Sequence, residues 1–187
     1  MLFRSRGAQL SDARREILRL GEQTGALLAT SLQAKGWFGG EEFDVGISGT
    51  FASEATERLL SDADFVLAIG AELGYYTAEG GLMFPTAEVA RIDIRPAPEG
   101  IGVLPGIYVS GDAKKTVAAL SRMLEARQIR KAGFRTPETR ALLQPSTAQF
   151  PQPADGMEPR QVARTIGTAL PEGCVVTCGT GHFLDRK

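Results

Sequence analysis

The sequence predicts an α/β protein: a parallel sheet flanked by helices, followed by a linker and the opening of a truncated second α/β domain. Three observations carry that reading. Phe65 to Ile69 (FVLAI) is an unbroken apolar run, which marks a strand covered on both faces. Short apolar runs alternate along the chain with stretches of helical periodicity, as they do where right-handed crossovers build a parallel sheet. Glycines and small polar residues follow the runs, and ligands of such sheets sit at those carboxyl ends.

Met1 to Phe3 is short for a full buried strand, yet Arg6-Gly7-Ala8 has the character of the turn that leaves one. Ser11 and Asp12 predict a helix start, with Ile17, Leu18 and Leu20 as an apolar stripe running to Thr24 and Gly25 as the stop. Ala26 to Thr30 reads as a short buried strand, Ser31 to Gly40 as a loop or single helical turn, and Phe43 to Gly49 as a turn-rich passage. Thr50 or Ser53 caps a helix through Leu60, which leads into Phe65 to Ile69. Ala90 to Ile94 and Ile107 to Val109 are the next strands. Asp112 then caps a helix from Ala113 to about Ala126, with Val117, Leu120, Met123 and Leu124 on one face.

The division into domains follows from composition. Residues 1–129 form the first α/β domain, with its first strand read as incomplete. Residues 130–158, with Pro137, Pro145, Pro151 and Pro153 among Gln, Thr and Ser, read as a Pro-rich linker. Residues 159–187 open a second domain: Pro159 starts a helix to Leu170, and Cys174 to Thr177 reads as a strand. One helix and one strand bury no core, so the chain reads as an internal piece of a longer enzyme.

Composition excludes several classes of function. With 21 basic against 22 acidic residues, no net field favours nucleic acid or a membrane surface. No apolar run approaches the roughly 20 residues that span a bilayer, and the expected location is the cytoplasm. Cys174 and Cys178, with a single histidine, cannot close a four-ligand zinc site, and both read as small residues in and just after a buried strand. One histidine without an elbow motif around a serine also excludes a Ser-His-Asp set.

The candidate binding residues are those that fall after strands. Gly7, Thr30, Gly46, Gly70 and Gly111-Asp112 would gather along one edge of a parallel sheet. Glycine there lets a backbone N–H approach a phosphate or a ring, or simply makes a tight turn; Asp112 either accepts from a ribose or caps its own helix. There is no full G-x-G-x-x-G and no Walker sequence. His182, in Gly179-Thr180-Gly181-His182, is either a donor to a diphosphate or a surface residue near the chain end. Trp37 and Phe38 pack under a loop, or on a partner subunit or a ring.

Taken in order, these residues resemble a known family. ALLATSLQAKGWF (26–38), VGISGTFASEATERLLSDADFVLAIGAEL (45–73), ARIDIRPAP (90–98) and YVSGDAKKTVAAL (108–120) are similar to the middle domain of thiamine diphosphate-dependent enzymes of the acetolactate synthase and pyruvate decarboxylase superfamily. In that family a P-V-x-T strand, a G-x-x-G passage, an A-D-x-x-L-x-x-G strand, an I-D-I-D strand and a G-D before a helix recur in this order. Here they fall at Leu28 to Thr30, Gly46 to Gly49, Ala63 to Gly70, Ile92 to Arg95 and Gly111-Asp112. Residues 159–183 resemble the start of the family's diphosphate-binding domain.

The resemblance implies a Rossmann-like, nucleotide-binding-type middle domain within a carboligase or decarboxylase, a lyase or transferase acting on a 2-keto acid or related acyl donor. It implies thiamine diphosphate and Mg2+ in the full-length parent, a homodimer or homotetramer, and no activity for this chain alone. The glutamate that activates the cofactor and the Gly-Asp-Gly metal motif have no counterpart in these residues, and Cys178 stands where the family often has an acid. His182, with Gly181, falls where several members place a histidine near the cofactor diphosphate. FAD or ADP in the middle domain would be held by Gly7, Thr30, Gly46, Gly70 and Asp112. Against FAD, Glu72 stands where FAD-binding members have an arginine, and Ser48 where they tend to have a histidine or similar donor. The alternatives are a stand-alone ADP- or FAD-binding module and a purely structural spacer.

Overall fold

A computed structural model describes residues 1–95, 102–144, 151 and 153–177. The chain divides into two units, Met1–Gln144 and Pro145–Arg186.

The first unit is built on six parallel strands: β1 (Leu2–Arg4), β2 (Leu28–Thr30), β3 (Asp44–Ile47), β4 (Phe65–Ile69), β5 (Glu88–Asp93) and β6 (Ile107–Ser110). Their order is β3-β2-β1-β4-β5-β6. The strands are short, and the central ones are buried because helices cover both faces. On one face Phe3, Ala29, Val66 and Val89 pack with Leu59 and Leu60 of α3 (Glu54–Ser61). On the other, Leu2, Leu28, Leu67 and Ile92 pack with Ile17 and Leu20 of α2 (Arg14–Thr24) and Val117 of α5 (Ala113–Ala126). Towards the amino edge α5 stands off the sheet. An apolar trough of about 760 Å³ remains there, lined by Phe65, Ile107, Val109, Ala119 and Met123 among others.

Several elements differ from the sequence reading. β1, Leu2–Arg4, pairs with β2 on one side and β4 on the other. Ser11 and Asp12 do not start a helix. They end a first short one, α1 (Arg6–Leu10), where the Ser11 hydroxyl donates to the Ala8 carbonyl and Asp12 takes a left-handed φ of 50°. Aspartate tolerates that conformation, so the same residue types that open helices here interrupt one. The turn-rich passage contains an edge strand, β3. Gly46, at φ 83°, sits where the β2–β3 register shifts, and its N–H donates to the Asp44 carboxylate. A glycine read as a turn is thus a bulge.

The first half of the expected linker is fastened to the first unit. The Lys131 and Phe134 amides donate to the Gln23 and Gly25 carbonyls, and Arg135 Nε donates to the Ala26 carbonyl over the ring of Phe43. Pro137 occupies the first turn of a helix, α6 (Pro137–Leu142), capped by Thr136, with Phe134 and Leu143 packed against the core. Between α3 and α6 lies α4 (Tyr75–Ala78), followed by a single helical turn at Glu79–Gly81.

The described part of the second unit holds one helix, α7 (Pro159–Ala169), with the Glu158 carboxylate accepting from the Arg160 amide. Cys174 to Thr177 is not a strand, and Cys174 and Val175 are exposed rather than buried. A strand needs a paired neighbour, and none is present for it among the described residues.

Candidate functional site

In this strand order the chain turns back between β1 and β4, so the segments leaving them diverge to opposite faces and open a crevice. Gly7 and Gly70 meet in it. The Gly7 N–H donates to the Gly70 carbonyl at 3.0 Å. A Cβ on Gly7 would lie 2.7 Å from that oxygen, and one on Gly70, whose φ is 56°, would run into the Ala8 nitrogen. The glycines at this seam are therefore there for a close backbone approach.

Beside the seam lies a cleft of about 180 Å³ above the carboxyl ends of the strands, lined by Gly7, Ser11, Gly70, Asp93, Ile94 and Asp112 among others. Three of the sequence-predicted residues, Gly7, Gly70 and Asp112, thus meet in one place. Asp112 acts there as a helix cap, accepting from the Lys115 amide at 2.9 Å. Gly111 also lines the cleft, and a Cβ on it would meet the Thr116 hydroxyl.

Thr30 and Gly46 lie outside this cleft, on the other side of β1. The Thr30 hydroxyl donates to the Gly46 carbonyl at 3.2 Å, so the two close the β2–β3 edge on each other. Ser48 likewise donates to the Thr77 carbonyl. Gly181 and His182 lie outside the described residues.

Two charged groups carry no signal in the sequence until their neighbours are known. Arg4, at the end of β1, is 1% exposed. Its Nη2 donates to the Ala34 carbonyl at 2.9 Å, its guanidinium lies 3.6 Å from the centre of the half-buried Trp37 ring, and its Nε has no hydrogen-bond partner. Burial lowers this guanidinium to about 10, against the pull of Asp44. Burial raises the Asp44 carboxyl in turn, in part offset by the Gly46 N–H. Trp37 is therefore the lid over a buried cation, and Phe38 beside it is fully buried.

The second group is a row of alternating charges along β5 and the turn after β4. Arg91 and Asp93, 4% and 5% exposed, form an ion pair at 2.6 Å. Arg95 joins through its amide, Nε and Nη2 to the Asp93 carboxylate, and its Nη1 lies 3.7 Å from Glu72. Tyr108 donates its hydroxyl to the Arg95 carbonyl. Burial pushes the Asp93 carboxyl up, but hydrogen bonds from Arg91 and Arg95 outweigh it and hold the group down at about 2. The hydrogen bond to Asp93 raises Arg95, with Glu72 adding to the effect. Glu72, in the turn after β4, thus faces the Arg95 guanidinium. Among the described residues no group of three His, Cys, Asp or Glu side chains is arranged to hold a metal ion. No described helix is long and apolar enough to cross a membrane.

Comparison with known proteins agrees with this architecture. Probable acetolactate synthase large subunit of Methanocaldococcus jannaschii is 31% identical over 126 residues, covering 66% of this chain and 21% of that protein. Acetolactate synthase large subunit of Corynebacterium glutamicum is 27% identical over 190 residues, 97% of this chain and 30% of that protein. Sulfoacetaldehyde acetyltransferase of Castellaniella defragrans is 27% identical over 204 residues, 95% of this chain and 34% of that protein. The chain thus spans about a fifth to a third of the length of these curated relatives. Residues 1–120 match the family model described as thiamine pyrophosphate enzyme, central domain, and the six-stranded parallel sheet is the Rossmann-like fold expected of it, so the chain belongs to the thiamine pyrophosphate enzyme family through its central domain.

Proposed function

We propose that this chain is the central part of a thiamine diphosphate-dependent carboligase or decarboxylase, a lyase or transferase that takes a 2-keto acid or a related acyl donor. The observation that carries the reading is the central-domain match over residues 1–120. The names of the relatives, acetolactate synthase and sulfoacetaldehyde acetyltransferase, support acyl-group chemistry. When bound, the cofactor supplies a stabilised carbanion equivalent. The first unit's own residues act as a scaffold, because the polar groups along its carboxyl edge are engaged with one another. Cofactor and Mg2+ contacts belong in this reading to Gly181, His182 and further chain, in a cytoplasmic homodimer or homotetramer, and the chain alone is inactive.

The test compares this chain with the uninterrupted polypeptide encoded at its natural locus. Thermal unfolding is followed with and without thiamine diphosphate and Mg2+, together with release of carbon dioxide from a panel of 2-keto acids. The expected result is a cofactor-dependent rise in melting temperature and turnover for the longer protein, and neither for the chain alone. A longer protein whose melting temperature and turnover ignore the cofactor would overturn the reading.

A further inference from the structure

We propose that Glu72 and Arg95 make the carboxyl-edge cleft refuse nucleoside diphosphates, so that this central domain carries neither FAD nor ADP. The inference is independent of which acyl donor the whole protein uses, and its failure would leave the family assignment standing.

A diphosphate at the edge of a parallel sheet needs free N–H donors and a cation. Two N–H donors of this edge are already used. The Gly7 N–H, the one at the seam after β1, donates to the Gly70 carbonyl. The Lys115 amide in the first turn of α5 donates to Asp112. The cation is used too, since Arg95 directs Nε and Nη2 to Asp93 and Nη1 towards Glu72. Among the described residues Asp93 and Asp112 line the cleft and no lysine or arginine does, Arg95 and Glu72 standing beside it and reaching it through the Arg95–Asp93 hydrogen bonds. A phosphate would therefore meet carboxylates before it met a compensating charge.

Glu72 decides the sign of this edge. It is 49% exposed, while the Arg91–Asp93 pair beneath Arg95 is buried and neutral as a unit. With Glu72 in place the outer guanidinium has acidic partners on both sides. The pair Glu72–Arg95 thus does internally what a bound anion would otherwise do for Arg95.

The experiment is calorimetric titration of the purified chain with FAD, ADP and adenosine at low ionic strength, on wild type and on Glu72→Arg. Wild type is expected to give no saturable heat with FAD or ADP. Glu72→Arg places a second cation beside Arg95, and ADP is expected to bind at least about tenfold more tightly than any wild-type signal, with the gain lost on adding salt. Adenosine, which has no phosphate, should not distinguish the two proteins. Far-ultraviolet circular dichroism confirms that the variant is folded. A saturable wild-type isotherm with ADP or FAD overturns the proposal, and so does a folded Glu72→Arg that gains no ADP affinity.

Discussion

The Gly7 amide and the Gly70 carbonyl share a hydrogen bond of 3.0 Å across the point where the chain reverses direction in the sheet. That bond joins the segments leaving β1 and β4, the two strands that every other strand flanks. Alanine at Gly7 must push the Gly70 oxygen away, an overpacking cost of about 1–3 kcal/mol. Alanine at Gly70 adds a left-handed backbone penalty of roughly 1–2 kcal/mol. Urea denaturation should therefore rank wild type above Gly7→Ala and Gly7→Ala above Gly70→Ala. The double variant should lose less than the sum, because each change already opens the same seam. Equal midpoints for wild type and Gly70→Ala would refute the close approach.

Asp93 gives the fold a defined acid limit. Its carboxyl titrates at about 2 in the folded protein against an ordinary 3.8. A depressed folded value means stability that is fully present above the unfolded value and lost as pH falls through the folded one. Wild type should therefore lose about 2 kcal/mol between pH 4 and 2 through this group. Asp93→Asn removes that slope and leaves Arg91 buried without its charge partner, at a cost of about 3–5 kcal/mol near neutrality. Denaturation curves at several pH values check this. A stability difference between the two proteins that stays constant down to pH 2 would count against it.

Much of this architecture can be read from the residues, and the exceptions share a cause. β4 is legible because a strand covered on both faces is apolar throughout. Gly7, Gly70 and Asp112 are legible because turns after strands demand small or capping residues. β3 is hidden by Gly46, and α1 by Asp12, since each residue type serves both a break and an irregular continuation. Arg4, Arg91 and Arg95 are illegible for a different reason. A charge in or beside a strand declares nothing until its contacts are known: Arg91 and Arg95 meet on Asp93, while Ala34 and Trp37 at Arg4 and Glu72 at Arg95 come from other segments.

Arg4 should tolerate an apolar replacement of its own length better than truncation. Its guanidinium has one good hydrogen bond and a stack on Trp37 but, among the described residues, no ion pair, and its Nε is unpartnered. Arg4→Met keeps the packing under Trp37 and removes the desolvation cost, so it should lie within about 1 kcal/mol of wild type. Arg4→Ala leaves a cavity and should cost roughly 2–5 kcal/mol. Trp37 is the single tryptophan, so its emission follows both unfolding curves. A methionine variant as unstable as the alanine one would show that the charge itself is required.

The segment after α5 should behave as part of the first unit. A chain ending at Gln144 is expected to unfold with the same midpoint as the first unit in the whole protein. One ending at Arg130 removes Phe134 and Leu143 from the core and frees the Gln23, Gly25 and Ala26 carbonyls. Losing two partly buried apolar side chains amounts to roughly 2–4 kcal/mol. Arg135→Ala alone should recover part of that loss, about 1–2 kcal/mol. If both truncations unfold alike, residues 131–144 are a linker in energetic terms despite their contacts.

The trough beneath α5 offers the opposite kind of test, since filling it should stabilise. Ala119 lines it from a helix position where leucine is nearly as good a helix former, opposite Ile107 and Val109 of the edge strand. Ala119→Leu places three more carbons against apolar walls without displacing a polar group. The expected gain is about 0.5–2 kcal/mol, read as a higher urea midpoint with an unchanged slope. The effect distinguishes an open trough from a packed one, because a packed interface would meet the larger side chain with strain and a lower midpoint.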